Sequence, residues 1–162
     1  MKEGILVNSA TEWKKYLMTA VGTLLGIGGV AYLADISGSP LIIAPFGASA
    51  VLIYSATSSP LAQPRNLIGG HFLSAIIAIT CCRLLGNAWY VMALAVTLAI
   101  IGMMFTGTVH PPGGATALLC VLQNTTNYEF LFYLGSGIII LLLSALLSAR
   151  IFPDVRPYPK VS

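Results

Sequence analysis

Charged side chains are scarce in this chain of 162 residues, where lysine, arginine, aspartate and glutamate together make up only 8%. Soluble domains carry roughly 25% of such residues, and 57% of this sequence is hydrophobic. Between positions 16 and 149 the charged residues are Asp35, Arg65, Arg83 and Glu129, each near a break in the apolar pattern. This composition excludes an ordinary soluble domain and predicts an integral membrane protein whose main partner is the lipid bilayer.

Metal-binding and nucleotide-binding patterns are also absent from the sequence. Cys81, Cys82 and Cys120 lie in apolar surroundings and show neither a Cys-x-x-Cys pair nor a histidine spacing suited to zinc. No nucleotide-binding motif is present, and the net charge of +3 comes mostly from basic residues that flank apolar segments. We therefore expect no metal, no cofactor and no nucleic-acid partner.

Six apolar segments can be recognised between the turn-forming and charged positions. A helix needs about 20 apolar residues to cross about 30 Å of hydrocarbon, and four segments approach this length. The fifth segment is about half as long, and its helix should begin near Pro112. Pro45 interrupts the second segment, since proline clashes with the preceding helical turn, so the helix proper should begin at Pro45. The six segments cover residues 16–34, 41–57, 67–85, 89–106, 113–123 and 130–151. The sequence thus predicts an all-α polytopic membrane protein with four full spans and two half-helices.

A short motif occurs twice in the chain. Pro-Phe-Gly-Ala-Ser-Ala-Val-Leu at 45–52 returns as Pro-Gly-Gly-Ala-Thr-Ala-Leu-Leu at 112–119, and each copy belongs to a predicted half-helix. We therefore expect one transmembrane domain, residues 16–151, built from two repeats of long helix, half-helix and long helix. The repeats cover about residues 16–85 and 89–151, and residues 1–15 and 152–162 form the terminal segments.

Basic residues predict that both terminal segments are cytoplasmic, because they cluster at Lys14, Lys15, Arg150, Arg156 and Lys160. If the half-helices cross the membrane, the repeats are inverted; if they re-enter, four helices span and the repeats run parallel. The charges do not separate these cases, and we favour inverted repeats because that architecture recurs with broken helices and midplane sites.

Small residues spaced four apart on the long segments allow close approach of helix backbones. Gly22-x-x-x-Gly26 and Ser144-x-x-x-Ser148 are examples. Such stripes serve packing either within the chain or between the subunits of a homo-oligomer, and the sequence leaves both possibilities open.

The stretch 106–114 places threonines, glycines, prolines and a histidine between two apolar helices. Non-helical backbone at membrane depth is tolerated only where it is buried in protein or lines a wet cavity. A helix that starts at such a break has free N–H groups and the positive end of the peptide dipoles, and both favour an anion. We therefore predict that the two half-helix starts bind a small monovalent anion near the midplane, weakly enough to release it.

The candidate binding residues come from both copies of the motif and from the break before the second copy. The predicted substrate-binding residues are Gly47, Ala48, Ser49, Thr108, His110, Gly113, Gly114, Ala115 and Thr116. Arg65 and His71 are candidates for a pore mouth. Plainer roles remain open for all of them: glycines can serve packing, hydroxyls can bond to their own helix, His71 can lie at the interface, and Arg65 can be a loop charge.

Three motifs, in order, resemble the HPP family of integral membrane proteins, which is named after a His-Pro-Pro tripeptide. The similar stretches are residues 45–52, 59–71 and 110–118, and the resemblance extends over about residues 16–151. Family members are described as having four transmembrane helices, which implies re-entrant half-helices. Cyanobacterial and chloroplast members transport nitrite, so the resemblance implies nitrite as the first substrate and a bacterial, cyanobacterial inner membrane as the location.

Two other functions compete with anion transport. Gly47-Ala48-Ser49-Ala50 resembles the surroundings of the nucleophile in intramembrane serine proteases, with His71 or His110 as base. The second copy carries threonine at the equivalent position, which argues against a copied nucleophile, so we predict no catalytic residue and no enzyme. A non-transporting scaffold or accessory subunit is the other alternative.

The sequence predicts transport with little or no coupling to an energy source. No intramembrane carboxylate is evident, so passive or loosely coupled movement is easier to build than a pump. A free imidazole has a reference pKa near physiological pH, so His110 could still couple protons.

Overall fold

The computed structural model describes residues 9–38, 43–153, 155, 158 and 159. These residues form six α-helices and one short 3-10 helix, Pro60–Ala62, and no strand occurs among them. The α-helices are α1 (Ser9–Ser37), α2 (Ile43–Ser55), α3 (Pro64–Leu85), α4 (Trp89–Thr106), α5 (Pro111–Leu122) and α6 (Phe130–Ile151). The predicted all-α fold class is confirmed. Helix α1 already begins inside the segment predicted as an N-terminal extension, and most of residues 152–162 lies outside the described part.

Four helices are long and apolar enough to cross a membrane, as predicted: Trp13–Ser37, Pro64–Leu85, Trp89–Thr106 and Phe130–Ile151. The other two are short, with 13 residues in α2 and 12 in α5. At 1.5 Å per residue they are about 20 and 18 Å long, less than the roughly 30 Å hydrocarbon core. Neither short helix can cross the bilayer on its own.

Prolines and glycines place the helix ends around the break between α4 and α5. Helix α4 ends at Gly107, whose φ of 65° is left-handed and whose N–H bonds to the carbonyls of Met103 and Met104. His110 is extended, with φ −140° and ψ 103°, because the residue before a proline is pushed out of the helical region. Helix α5 then starts at Pro111, where the missing N–H costs nothing.

Both half-helices start slightly earlier than the sequence predicts. Helix α2 begins at Ile43 rather than at Pro45, because a proline in the first helical turn removes only an N–H that would have no helical partner. Helix α5 begins at Pro111 rather than at Pro112. The first shift places Gly47 in the second turn of α2, where backbone N–H groups bond within the helix.

The long helices pack in two groups that meet through α3 and α6. Helix α1 packs against α6 and α2, helix α4 packs against α3 and α5, and the half-helices α2 and α5 contact each other. Exchanging the first three helices for the last three turns the α1 and α6 pair into the α4 and α3 pair, but the extensive packing of α3 on α5 has no equal in the packing of α6 on α2. Whether the repeats are parallel or inverted stays a prediction.

The small-residue stripe on α1 serves packing within the chain. A Cβ at Gly22 would lie 2.5 Å from a ring carbon of Tyr54, and a Cβ at Gly26 would lie 2.6 Å from the hydroxyl of Ser144. The Tyr54 side chain lies between α1 and α6 and hydrogen-bonds to the Ser144 hydroxyl. Gly22 and Gly26 therefore allow α1 to approach α2 and α6 closely.

Candidate functional site

Four buried polar side chains meet where the half-helices approach each other. Ser49 comes from α2, His71 from α3, His110 from the residue before α5, and Thr116 from α5. Each is at most 1% exposed. We call these four residues the histidine–hydroxyl cluster. It unites parts of both motif copies, although Ser49 and Thr116 are far apart in the sequence.

Short hydrogen bonds connect the cluster. The Ser49 Oγ lies 2.8 Å from His71 Nε2 and 2.9 Å from His110 Nε2. On its other side, His71 Nδ1 lies 2.7 Å from the Thr116 Oγ1. His110 Nδ1 lies 2.8 Å from the carbonyl oxygen of Leu61. All four ring nitrogens of the two histidines therefore have a partner.

The partners also determine where the protons lie when both rings are neutral. A carbonyl oxygen only accepts, so His110 Nδ1 must carry the hydrogen and donate it to Leu61. His110 Nε2 then accepts the hydrogen of the Ser49 hydroxyl. The Ser49 oxygen in turn accepts from His71 Nε2, which leaves His71 Nδ1 to accept from Thr116. The two histidines are thus assigned opposite tautomers.

Glycines on α3 allow the extended segment before α5 to lie directly on that helix. A Cβ at Gly70 would lie 2.5 Å from the His110 Cβ, and one at Gly113 would lie 2.8 Å from the Gly70 carbonyl oxygen. The Asn66 side chain donates to the carbonyl of Val109 at 2.8 Å. These contacts place the His110 ring next to the His71 ring, with centroids 4.9 Å apart.

The Leu61 carbonyl belongs to the 3-10 helix, and Tyr158 bonds to the residue next to it. Pro60–Ala62 begins after Ser59, whose hydroxyl accepts from the Leu61 N–H. The Tyr158 hydroxyl donates to the neighbouring carbonyl of Ala62 at 2.9 Å. Burial raises the pKa of Tyr158, with a smaller contribution from Tyr54, so this hydroxyl stays protonated and remains a donor.

The structure brings together three of the predicted binding residues, Ser49, His110 and Thr116. It adds His71, which the sequence analysis considered for a pore mouth and which lies fully buried between Ser49 and Thr116. The Leu61 carbonyl is a further part of the site, and the sequence does not predict it, since every residue type has a backbone carbonyl.

The remaining predicted residues lie outside the cluster. Arg65 is exposed and donates to the Thr106 carbonyl at 3.2 Å, and the Thr108 hydroxyl bonds to the Thr106 hydroxyl at 2.7 Å. The other five are glycines and alanines, whose side chains cannot form hydrogen bonds: Gly47, Ala48, Gly113, Gly114 and Ala115. Ala48 is exposed.

Fewer free backbone N–H groups are found at the half-helix starts than the sequence predicts. The first two residues of α5 are prolines, which have no N–H. The Gly113 N–H already bonds to the His110 carbonyl at 2.8 Å, and Gly47 lies beyond the first turn of α2. The hydroxyl and ring N–H groups of the cluster therefore take a larger share of any binding.

Open space lies next to the glycine of each motif copy. A Cβ at Gly47 or at Gly114 would meet no heavy atom within 4 Å. Beside Gly47, a cavity of about 250 Å³ opens between α1 and α2, and its lining, which includes Thr19 and Thr23, is almost entirely apolar. Side chains added at these two positions would enter space rather than displace neighbours.

No metal-binding arrangement is found in the described part of the chain, where no three histidine, cysteine, aspartate or glutamate residues converge. The two histidines could coordinate a metal only by giving up hydrogen bonds, because both nitrogens of each ring are already bonded.

Comparison with known proteins identifies the family. The family model described as HPP, transmembrane region, matches residues 8–159. One transmembrane protein of Dictyostelium discoideum is 47% identical over 127 residues, which cover 74% of this chain and 44% of the relative. A second transmembrane protein of that organism is 44% identical over 126 residues, covering 73% of this chain and 40% of the relative. The chain thus spans less than half the length of these curated relatives.

No solved structure matches the chain. The family match extends over nearly the whole sequence, and four helices have the length and composition of membrane spans. The protein belongs to the HPP family of transmembrane proteins.

Proposed function

We propose that the protein moves a small monovalent anion, with nitrite as the first candidate, across a membrane through the region where α2 and α5 meet. The observation that carries this proposal is the histidine–hydroxyl cluster, which lies fully buried among membrane-spanning helices. Ionisable side chains at such depth are costly and typically mark substrate or ion pathways. Family membership supports membrane transport, and the resemblance to nitrite-transporting members supports the choice of nitrite.

The chemistry of the cluster suits an anion that binds weakly. It offers only hydroxyl and imidazole N–H donors, and in the neutral cluster each of these already has a partner. An incoming anion must therefore replace an internal hydrogen bond. Helix ends add about 0.3–2 kcal/mol each, which is less than the several kcal/mol lost when a small ion is dehydrated. Such a balance favours release over tight binding, as permeation requires.

Reconstitution tests the proposal directly. The purified full chain in liposomes should accelerate nitrite entry above the rate of protein-free vesicles at the same pH, which corrects for diffusion of nitrous acid through the lipid. Entry at the protein-free rate would contradict the transport proposal and favour a scaffold or accessory subunit.

We expect Gly47→Leu and Gly114→Leu to reduce nitrite flux strongly while the protein stays folded. Both side chains would enter open space beside the half-helices, since no heavy atom lies within 4 Å of either Cβ. Gly28→Leu is the matched control, because Gly28 on α1 is exposed and its Cβ would also meet open space. Initial flux and gel-filtration profiles measure the effect. Equal flux in all three variants would place the path elsewhere.

A serine hydrolase is a second candidate, and one observation favours it. The Ser49 Oγ lies 2.9 Å from His110 Nε2, and the Leu61 carbonyl orients that ring, as nucleophile, base and orienting group are arranged in serine hydrolases. However, Ser49 is 0% exposed, and its oxygen already accepts from His71. We therefore expect no labelling by a fluorophosphonate probe. Labelling that disappears in Ser49→Ala would establish the hydrolase instead.

A further inference from the structure

The hydrogen bonds of the histidine–hydroxyl cluster form a hydrogen-bonded chain in which each group donates to the next. Thr116 donates to His71, His71 donates to Ser49, Ser49 donates to His110, and His110 donates to the Leu61 carbonyl. Each ring has one nitrogen that donates and one that accepts. Such a chain can accept a proton only if a hydroxyl can turn away from the ring nitrogen to which it now donates.

Both hydroxyls have a second acceptor for this purpose. The Ser49 Oγ lies 3.2 Å from the carbonyl of Pro45, and the Thr116 Oγ1 lies 3.3 Å from the carbonyl of Pro112. In both motif copies the proline stands four residues before the hydroxyl. The duplicated sequence thus provides each histidine with a hydroxyl that can point in either of two directions.

Protonation of His110 shows how the bonds rearrange. A proton adds to the lone pair of His110 Nε2 and forms a new N–H bond, while the Ser49 hydroxyl turns from that nitrogen to the Pro45 carbonyl. The Ser49 oxygen then accepts from both histidines. His71 can take a proton on Nδ1 in the same way, with Thr116 turning to Pro112. Neither step leaves a buried polar atom of the cluster without a partner.

Among residues 9–38, 43–153, 155, 158 and 159, no carboxylate bonds to either ring to balance the added positive charge. The groups that face the two rings are the hydroxyls of α2 and α5, the Leu61 carbonyl, the other imidazole, and the Phe46 ring at 5.1 Å from His71. Helix α4 adds the Met103 sulfur beside Gly70, and α6 shares a hydrophobic cluster with Phe46 through Leu134, Ile138, Leu141 and Ala145.

Two ionisable side chains on the packing helices are bonded elsewhere. Arg65 on α3 bonds to the Thr106 carbonyl, and Tyr54 on α2 bonds to Ser144. No carboxylate in the described ranges hydrogen-bonds to either ring. An isolated buried charge is costly unless an opposite charge accompanies it, and a transported anion can supply that opposite charge.

We infer that the histidine–hydroxyl cluster is a proton-binding site that takes up one proton together with each anion. This inference rests on the proposed function and makes transport an electroneutral symport of proton and anion. The proton neutralises the anion during passage, and the anion neutralises the imidazolium. On release, the proton on His110 Nε2 passes to water on the side where the anion leaves, and the Ser49 hydroxyl turns back to that nitrogen.

The proton assignments can be tested without transport. The chain contains only two histidines, so ¹⁵N-histidine labelling gives four ring-nitrogen signals from protein purified without a histidine tag and placed in nanodiscs. At neutral pH we expect one ring protonated on Nδ1 and the other on Nε2. Ser49→Ala should shift one signal from each ring. Two rings protonated on Nε2 would overturn the proton site.

The coupling is tested in liposomes with the membrane potential clamped by potassium and valinomycin. Initial nitrite entry, corrected for protein-free vesicles, should rise when the outside is acidified and should not respond to the sign of the potential. In Ser49→Ala the rate should no longer depend on pH, while Thr97→Val, which removes an exposed hydroxyl on α4, should behave like the parent.

The outcomes separate the two proposals. A rate that follows the potential and ignores pH would leave anion transport standing and overturn the proton site. Absence of flux above the protein-free rate would overturn the proposed function, and the nitrogen spectra would then decide the proton site alone.

Discussion

Replacing Gly113 with alanine should destabilise the protein by about 1–3 kcal/mol, the usual cost of overpacking a tight contact. The new Cβ would lie 2.8 Å from the carbonyl oxygen of Gly70 and 2.9 Å from the Ser74 hydroxyl. The Gly70 carbonyl belongs to the backbone of α3, so a side-chain rotation cannot relieve the clash. Helix α5 would have to move away from α3, and His110 would move with it.

The neighbouring glycine is the matched control. A Cβ at Gly114 would meet no heavy atom within 4 Å, and alanine is favoured over glycine in a helix by up to about 1 kcal/mol. Gly114→Ala should therefore unfold at the same or a slightly higher temperature than the parent, whereas Gly113→Ala should unfold at a lower one. Thermal unfolding in detergent measures both. Equal midpoints for the two variants would contradict the close packing of α5 on α3.

His110→Phe should lose both stability and transport. Phenylalanine fills similar space but cannot donate to the Leu61 carbonyl, and an unsatisfied buried acceptor costs about 1–3 kcal/mol. The same change removes the ring nitrogen that accepts from Ser49. Nitrite flux in liposomes should fall by more than about tenfold, a factor that corresponds to about 1.4 kcal/mol.

His110→Asn separates the two effects. An asparagine amide can take the place of Nδ1 and donate to Leu61, so this variant should recover most of the unfolding temperature. It lacks a titratable ring, so transport should stay low. If His110→Asn carried nitrite at the parent rate, the imidazole would serve only to hold the chain together and would not belong to the path.

The helices themselves are predictable because their signals are local. Helices α4 and α6 have the predicted bounds, 89–106 and 130–151, since apolar runs end at glycine, asparagine or charged positions in both cases. The starts of the half-helices are less predictable. A proline in the first turn is compatible with several starting residues, so the position of Pro45 alone leaves a shift of two residues open.

The site is predictable only in part because its geometry depends on contacts between distant segments. The repeated motif indicates Ser49 and Thr116, and the break before α5 indicates His110. Nothing local reveals that α3 places His71 between the two hydroxyls, although Gly69 and Gly70 before it are a signal of close approach. The Leu61 carbonyl is invisible in the sequence, because every residue has one.

Glycine is the residue type whose role the sequence leaves most ambiguous. The four glycines at and near the site look alike in the sequence, yet Gly70 and Gly113 make room for backbone while Gly47 and Gly114 border open space. The distinction depends on what lies opposite each glycine, which only the packing of the helices determines.

The hydrogen bond from Tyr158 to the Ala62 carbonyl has a practical consequence for how the protein is handled. It links Tyr158, which follows α6 in the sequence, to the residue next to Leu61. The Leu61 carbonyl accepts the hydrogen on His110 Nδ1. A purification handle or reporter fused in place of Tyr158 and the residues after it would remove this hydrogen bond. Recombinant versions should keep the residues through Tyr158 intact. If a shortened version loses activity, displacement of the Leu61 carbonyl is the first cause to test.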